Sequence, residues 1–414
     1  MQPFDGKRVL LGVTGGIAAY KACQLLRDIR RLGADVRVVM TAAARQFVTP
    51  LTFEALSAHP VHSEMFSGES GGALRHVELA AESDLLVICP ATADFLGKVA
   101  GGLADDLLSA LVMVAGPEKT LFCPAMNARM WENPVVQRNV ARLRELGYAF
   151  VDPEEGQLAS DVEGWGVGRL ADLGRILFHV KKGLVEEKTF AGKRIIVSAG
   201  PTQEPLDPVR YITNASSGKM GFALAEAGML LGADVILVTG PVDLTPPDGA
   251  TVERVRTARE MLQAIQKWYD RSDAVIMAAA VADFYPETYQ KEKIKKGPDS
   301  LTLRLKKNPD ILRELAKKKG NRVLVGFAVE TENEIANASQ KMTEKDLDMI
   351  VVNNPRIEGA GFFTDTNVVT ILTRDGQEIA LPRMSKFEVA WHIYDHLAVQ
   401  MGLKPAPFRD VIEV

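Results

Sequence analysis

The residues best suited to chemistry in this 414-residue chain are Asn214, Ser216, Ser217, Gly218 and Lys219, set between an apolar β-forming run (Ile195 to Val197) and an apolar helical stretch. Serine at 216 or 217 can cap that helix, Gly218 lets backbone N–H groups approach an oxyanion, and the first helical turn adds partial positive charge. Lys219 contributes a full charge, so the chemistry offered is anion binding. This is not a Walker loop: Thr213 stands where that motif needs glycine, and Met220 where it needs serine or threonine. Taken alone, the pattern also suits an ordinary strand–loop–helix crossover. Two further stretches offer similar chemistry. Thr14-Gly15-Gly16-Ile17 forms a strand-to-helix turn suited to a phosphate or a flavin edge; it lacks the GxGxxG spacing, which disfavours a nicotinamide dinucleotide. The tract QKEKIKKG from Gln290 to Gly297 is the most basic run, readable as a solvated loop or as a phosphate-covering one.

These residues need parallel sheets to position them. Arg8 to Val13 reads as a buried strand, Ile17 to Leu32 as a helix stopped by Gly33, and Asp35 to Met40 as a second strand. The same design returns at Arg194 to Ser198, Met220 to Leu231 (stopped by Gly232) and Asp234 to Val238. Even the join repeats, as Leu32-Gly33-Ala34-Asp35-Val36 and Leu231-Gly232-Ala233-Asp234-Val235. Two βαβ openings predict two Rossmann-like α/β domains with parallel sheets, each with its ligand at the carboxyl ends of the strands. Leu85 to Cys89 and Thr120 to Cys123 continue the first sheet; Ala274 to Met277, Val323 to Phe327 and Met349 to Val352 continue the second. Val368 to Leu372 and Glu378 to Leu381, joined through Asp375-Gly376, predict a terminal β-hairpin. Charged Lys181 to Lys193 reads as the linker, giving domains 1–188 and 189–414.

Composition narrows the function. The chain is 47% hydrophobic with a net charge of −4 and a pI near 6.0, which favours small metabolites over nucleic acid or a membrane surface. The opening residues show no signal peptide, and apolar stretches such as Leu103 to Val114 are broken by Asp105, Asp106 and Ser109, so no membrane span is expected. Three cysteines, Cys23, Cys89 and Cys123, make no disulfide framework or metal spacing, which points to reducing cytoplasm.

Several strings together carry a resemblance. They are GVTGGIAAYK; RHVEL with PATADFLGKVAGGLADDL; PAMNARMW; and SAGPTQEPLDPVRYITNASSGKMG with AAAVADF, EKIKK, KNPDI and GFAVET. Over nearly its whole length the chain resembles the bacterial bifunctional coenzyme A biosynthesis proteins, in which a phosphopantothenoylcysteine decarboxylase is fused to a phosphopantothenate–cysteine ligase. The resemblance implies a flavodoxin-like flavin-dependent cysteine decarboxylase fold followed by the ligase domain. It also implies substrates (4'-phosphopantothenate, cysteine and CTP) and a homo-oligomer in which decarboxylase trimers and ligase dimers combine, a dodecamer satisfying both.

For the decarboxylase the resemblance implies FMN, held by Thr14, Gly15, Gly16, Ile17, Thr41 and Pro90, Ala91, Thr92 and Ala93. Removing the carboxylate of a cysteine amide needs an electron sink, which FMN can supply by first oxidising the C–S bond to a thioaldehyde. His76 would act as base and Asn127 would orient the substrate carboxylate and amide. One position departs from the family. Members that complete the reaction carry a cysteine in a string like GxxACGxxGxGR, whereas here GQLASDVEGWGVGR places Ser160 there. A hydroxyl donates a proton far less readily than a thiol of pKa about 8.5. Asp161 or water would then substitute, or the reaction would be slow or stop at the enethiol, or the flavin domain would merely regulate the ligase.

For the ligase the resemblance implies activation of the carboxylate by CTP as an acyl-cytidylate, which the cysteine nitrogen then attacks. Lys293 would meet the triphosphate, with Lys341 and Lys345 as further nucleotide contacts four residues apart. Met277, Ala278 and Ala279 would flank the base, Asp283 would hold Mg2+ or the ribose, and Pro309, Asp310, Ile311, Leu312 and Phe327 would complete the pocket. Arg210 and Asn214 match residues held to act on the acyl-cytidylate.

Overall fold

The computed structural model describes residues 3–66, 74–159, 164–295, 301–354, 356–359 and 361–405. They divide into two compact units, 1–186 and 187–414. In unit 1, strands β1 (Arg8–Val13), β2 (Asp35–Met40), β3 (Leu85–Ala91), β4 (Thr120–Pro124) and β5 (Ala149–Phe150) make one sheet of order β2-β1-β3-β4-β5. Every pairing in it is parallel. β3 and β4 are buried along their whole length, because helices cover both faces of a doubly wound sheet and leave no face for polar alternation. A separate antiparallel ribbon, β6 (Glu154–Gln157) with β7 (Trp165–Arg169), follows.

Helix α1 (Ala19–Arg31) buries Ala22, Leu25, Leu26 and Ile29, an apolar stripe at helical spacing, and ends where Gly33 takes φ 94°. The chain continues through α2 (Pro50–Ser57), α3 (Arg75–Glu82), α4 (Ala93–Ala100), α5 (Leu107–Ala115), α6 (Ala128–Trp131), α7 (Pro134–Glu145) and α8 (Leu173–Leu184). Where the sequence suggests a linker from Lys181, α8 instead continues. Ile176, Val180 and Leu184 lie at i, i+4 and i+8, so the lysines between them ride on an amphipathic helix.

Unit 2 contributes β8 (Arg194–Ala199), β9 (Gln203–Pro205), β10 (Tyr211–Thr213), α9 (Lys219–Leu230), β11 (Asp234–Thr239), β12 (Thr251–Arg254), α10 (Ala258–Tyr269) and β13 (Ala274–Met277). Then come β14 (Phe284–Pro286), β15 (Leu305–Lys307), α11 (Ile311–Ala316), β16 (Val323–Val329), α12 (Glu334–Glu344), β17 (Met349–Asn353), β18 (Thr366–Thr373), β19 (Glu378–Ser385) and α13 (Lys386–Gln400). The main sheet runs β12-β11-β8-β13-β16-β17-β18-β19, parallel up to β17 and closed by the antiparallel hairpin β18–β19. Capping boxes at Thr257/Glu260 and Ser385/Glu388 start α10 and α13. The adjacent pairs β10–β9 and β14–β15 are small antiparallel ribbons outside this sheet. Among the described residues no helix is long and apolar enough to cross a membrane.

Candidate active sites

In unit 1 the turns after β1, β2, β3 and β4 open on one cavity of about 930 Å³, lined among others by Thr14, Gly15, Gly16, Ile17, Thr41, Thr92, Ala93 and Asn127. Parallel strands bring these turns to the same edge of the sheet, which is where α/β ligands bind. Thr14 joins two of the turns. Its Oγ1 donates to the Pro90 carbonyl at 2.7 Å and accepts from Thr92 N–H at 3.1 Å. Thr92 caps α4, Thr41 Oγ1 accepts from Ala44 N–H at 3.2 Å, and Asn127 Oδ1 caps α6 by accepting from Arg129 N–H at 2.9 Å. The β6–β7 ribbon closes over the Asn127 turn. Met126 N–H donates to Gly168 O at 2.9 Å, and a Cβ on Gly168 would lie 2.3 Å from Met126 O, so only glycine fits.

A flavin fits this cavity on the geometry of the cradle. A Cβ on Gly15 would stand 2.3 Å from that of Ala43, so the turn is packed as tightly as backbone allows. The volume lies in the range of cofactor pockets, about 300–1,000 Å³, and the small hydroxyl and amide groups offer both donors and acceptors. Pro90 and Ala91 hold the cradle from behind without lining the cavity. Neither does His76 line it. His76 sits in the first turn of α3, and its Nδ1 is buried with no hydrogen-bond partner among the described residues. Beside it, Arg75 donates to Nδ1 of His62 at 2.8 Å. Burial, then the charge of Arg75, pushes His62 down to about 4. Ser160 and Asp161 lie outside the described residues.

In unit 2 the expected nucleotide residues converge on the ends of β13 and β16, which are paired with Met277 opposite Gly326, so Met277, Ala278 and Phe327 are neighbours. Asn308 ties in the KNPDI turn. Its backbone N–H donates to Asp283 O at 2.8 Å and its Nδ2 to Ala282 O at 2.9 Å. Pro309 precedes Asp310, which caps α11 (Ile311, Leu312 onward) and pairs with Lys345 at 3.0 Å. Lys341 pairs with Glu330 at 2.5 Å. Thus Lys341 and Lys345 share a helix end yet hold different carboxylates. Ala279 N–H donates to Ser198 Oγ at 3.1 Å, and Asn214 Nδ2 to Val281 O at 2.9 Å, which sets Asn214 beside the same segment. Asp283 and Lys293 are exposed. Among the described residues no three His, Cys, Asp or Glu side chains could hold a metal ion together.

One expectation is corrected, that of the anion loop. Neither serine caps α9. Gly218 takes that place in the left-handed region (φ 78°), Ser216 Oγ accepts from Gly218 N–H at 3.3 Å, and Ser217 Oγ donates to Phe362 O. Lys219 turns to Asp365 at 2.6 Å and to Phe363 O at 3.1 Å, so the segment around residue 363 takes up the charge offered for an anion. The guanidinium of Arg210 is engaged by Asp207 at 2.8 Å and donates to the Ile294 carbonyl.

Residues that the sequence did not single out include Asp207, Asn308 and Lys386. Lys386 is only 6% exposed and donates to the carbonyls of Gly361, at 3.1 Å, and Thr364. Burial, then the charge of Lys219, lowers its ammonium to about 8. A signal did exist for Asp207: an Asp before Pro starts turns by bonding its own backbone further on, as it does here with Val209 N–H at 2.8 Å.

Comparison with known proteins adds the following. A profile of the flavoprotein family matches residues 2–184, and one described as the DNA/pantothenate metabolism flavoprotein C-terminal domain matches 190–401. The coenzyme A biosynthesis bifunctional protein CoaBC of Bacillus subtilis (strain 168) is 45% identical over 397 residues, covering 95% of this chain and 97% of its own length. The protein of the same name from Escherichia coli (strain K12) is 42% identical over 380 residues, 90% and 92% of the two chains. A crystal structure of the C-terminal domain of CoaBC is 40% identical, with a TM-score of 0.46, over 52% of this chain and 99% of that one.

Proposed function

The chain belongs to the family of bifunctional coenzyme A biosynthesis proteins, and from that premise we propose which unit and which residues carry each activity. It is a flavoprotein with a ligase and a decarboxylase activity in coenzyme A biosynthesis. Unit 1 is read as the FMN-dependent decarboxylase acting on 4'-phosphopantothenoylcysteine, and unit 2 as the CTP-dependent ligase that makes it. The observation that carries the reading is the convergence of Thr14–Ile17, Thr41, Thr92, Ala93 and Asn127 on one cavity.

In unit 1 bound FMN would supply the redox capacity that makes the carboxylate a leaving group. Asn127 has its Oδ1 committed to capping α6, which fixes the rotamer in which its amide meets the substrate carboxylate. With Nδ1 of His76 buried, proton exchange falls to Nε2. Because His76 does not line the cavity of its own copy, and Ile17 and Tyr20 beside that cavity are 57% and 59% exposed, a neighbouring copy is read as completing the site. Trimers of unit 1 and dimers of unit 2, combined as a dodecamer, accommodate this. Light scattering on the intact protein tests it.

In unit 2, Lys293, Lys341 and Lys345 would meet the triphosphate, trading their carboxylates for phosphate oxygens that carry more charge. Asp283 would share Mg2+ with that triphosphate. Asn214 has its Nδ2 tied to Val281 O, so its Oδ1 is the atom presented to the incoming amine of cysteine, which must lose a proton as it attacks. One experiment tests both halves: incubation with 4'-phosphopantothenate, cysteine, CTP and Mg2+, with mass analysis of every product. Pyrophosphate and 4'-phosphopantetheine are expected. A product lighter by two hydrogens would show the reaction halting at the enethiol, which is what Ser160 in place of cysteine would cause were no other acid at hand.

A further inference from the structure

Nothing described so far accounts for Asp207, a carboxylate in a loop with a side chain 0% exposed. A buried carboxylate is unfavourable unless it is fully hydrogen-bonded. This one is. Oδ1 accepts from the backbone N–H groups of Val209 and Arg210, both at 2.8 Å. Oδ2 accepts from Arg210 Nε at 2.9 Å and from the backbone N–H of Ile294 at 3.1 Å, with the Nη2 end of the guanidinium ion-paired at 2.8 Å. Burial alone would raise the carboxyl, yet these bonds outweigh it and hold it at about 2.

The partners come from two separate stretches of chain. Arg210 donates onward to the Ile294 carbonyl, so both backbone polar groups of Ile294 are gripped by the 207–210 loop. Gln290 N–H, donating to Leu206 O at 2.9 Å, adds a second tie. Lys293 stands immediately before Ile294, and Asn214 lies four residues beyond Arg210. The fastening is polar and local, so it sets the place of Lys293 with little help from apolar packing: residues 291–293 are exposed.

We propose that Asp207 is a positioning residue for ligation: it fixes the backbone at Ile294, and through it the ammonium of Lys293, against the loop that carries Asn214. Arg210 belongs to the same brace. The inference rests on the ligase reading of unit 2 and adds to it the group that holds the cation in place. Misplacing a reacting or charge-stabilising group by about 1 Å can cost roughly 100-fold in rate, which is the scale expected.

The test compares wild type, Asp207→Asn, Ile294→Pro and Lys293→Ala in the full-length flavin-loaded protein. Asp207→Asn turns an acceptor of the Ile294 and Arg210 donors into a donor. Ile294→Pro removes the N–H that Asp207 accepts, while also fixing φ there and restricting the backbone of Lys293, and leaves the buried carboxylate intact, so it remains informative should the asparagine variant fold poorly. Both should lower kcat/KM for CTP, read by pyrophosphate release, by roughly 10- to 100-fold. Both should also speed amide exchange at Gln290, and Asp207→Asn at Ile294 as well, while flavin content and decarboxylation of supplied 4'-phosphopantothenoylcysteine stay unchanged. In a Lys293→Ala background the loss from Asp207→Asn should shrink, because the two act through one contact. Unchanged exchange and kinetics in Ile294→Pro, or losses that simply multiply with Lys293→Ala, would overturn the proposal. A wild-type protein that releases no pyrophosphate from CTP would instead sink the ligase reading, and amide exchange would still decide whether Asp207 fastens the segment.

Discussion

At the strand ends the cavity of unit 1 is lined by the small uncharged groups Thr14, Gly15, Gly16, Thr41 and Thr92, with Lys21, Lys98 and Arg169 further along its wall, whereas several of the cations in unit 2 hold anions. Lys219 pairs with Asp365, Lys341 with Glu330, Lys345 with Asp310, and Arg210 with Asp207. The difference follows from what each site must accept. A flavin ring is large and mostly apolar, so shape and a few fixed hydrogen bonds serve that part of the cofactor, and the cradle stands preformed. A triphosphate brings several negative charges, and lysines left without partners would repel one another until it arrived. Partly exposed pairs of this kind are worth only about 0–1 kcal/mol each, so phosphate displaces the carboxylates readily. Asp207 is the exception: it is fully buried, accepts three backbone N–H groups and would not exchange.

The sharpest way to break the comparison is to remove the one uncharged group assigned to chemistry in unit 2. Asn214→Ala should leave CTP binding intact and slow amide formation at least roughly 100-fold, on the scale of about 3 kcal/mol for a lost transition-state contact. Quantifying amide product against bound nucleotide decides it, and unchanged turnover would return unit 2 to a site run by cations alone. Next in size is the cradle. Gly15→Ala would press a Cβ against Ala43 at 2.3 Å, with the Ala43 carbonyl carbon at 2.8 Å, and should cost about 1–3 kcal/mol of packing. Absorbance of bound flavin per mole of protein should fall roughly tenfold, while pyrophosphate release stays at the wild-type rate; retained yellow colour would mean that the turn yields.

Salt distinguishes the two sites more gently. Lys341→Gln should raise KM for CTP about fivefold and flatten its dependence on ionic strength, because one screened charge contact is lost. Flavin occupancy should not respond to the same salt series. Smallest is a pH effect traced to His62 in unit 1. Folding lowers His62 from its ordinary range to about 4, chiefly through burial. Between those limits the unfolded chain binds the proton and the folded one does not, so stability is unaffected above about pH 6.5 and declines as pH falls toward 4. With solvent screening of a half-buried ring allowed for, the decline should be about 1 kcal/mol, or roughly 3 °C in Tm. His62→Gln should flatten that slope, and a wild-type Tm that is level from pH 6.5 to 4 would refute it.

Much of the fold is legible from period and punctuation alone. Short continuous apolar runs rich in β-formers, such as Leu85 to Cys89, read as strands covered on both faces, and Gly33 and Gly232 stop helices where left-handed backbone is needed. The Asp375-Gly376 turn likewise marks the hairpin, with Gly376 at φ 87°. The end of α8 was less legible because the local charge of Lys181 and Lys182 masks an apolar stripe that repeats every four residues. Thr14, Gly15, Gly16 and Ile17 are recognisable because a strand-to-helix turn is a local object, readable from four residues in a row.

Side-chain partnership was not legible in that way. Whether Arg210 reaches across to the Ile294 carbonyl, and whether Lys219 waits for an anion or holds Asp365, depends on segments tens of residues apart that only the fold brings together. The amino-acid order by itself determined two parallel-sheet units, their ligand edges and the kinds of group available there, since periodicity and turn chemistry act over a few residues. The tertiary structure alone decided which of those groups face a ligand and which are spent holding one another, because ion pairs and buried hydrogen bonds are settled by distance in space, and distance along the chain says little about that.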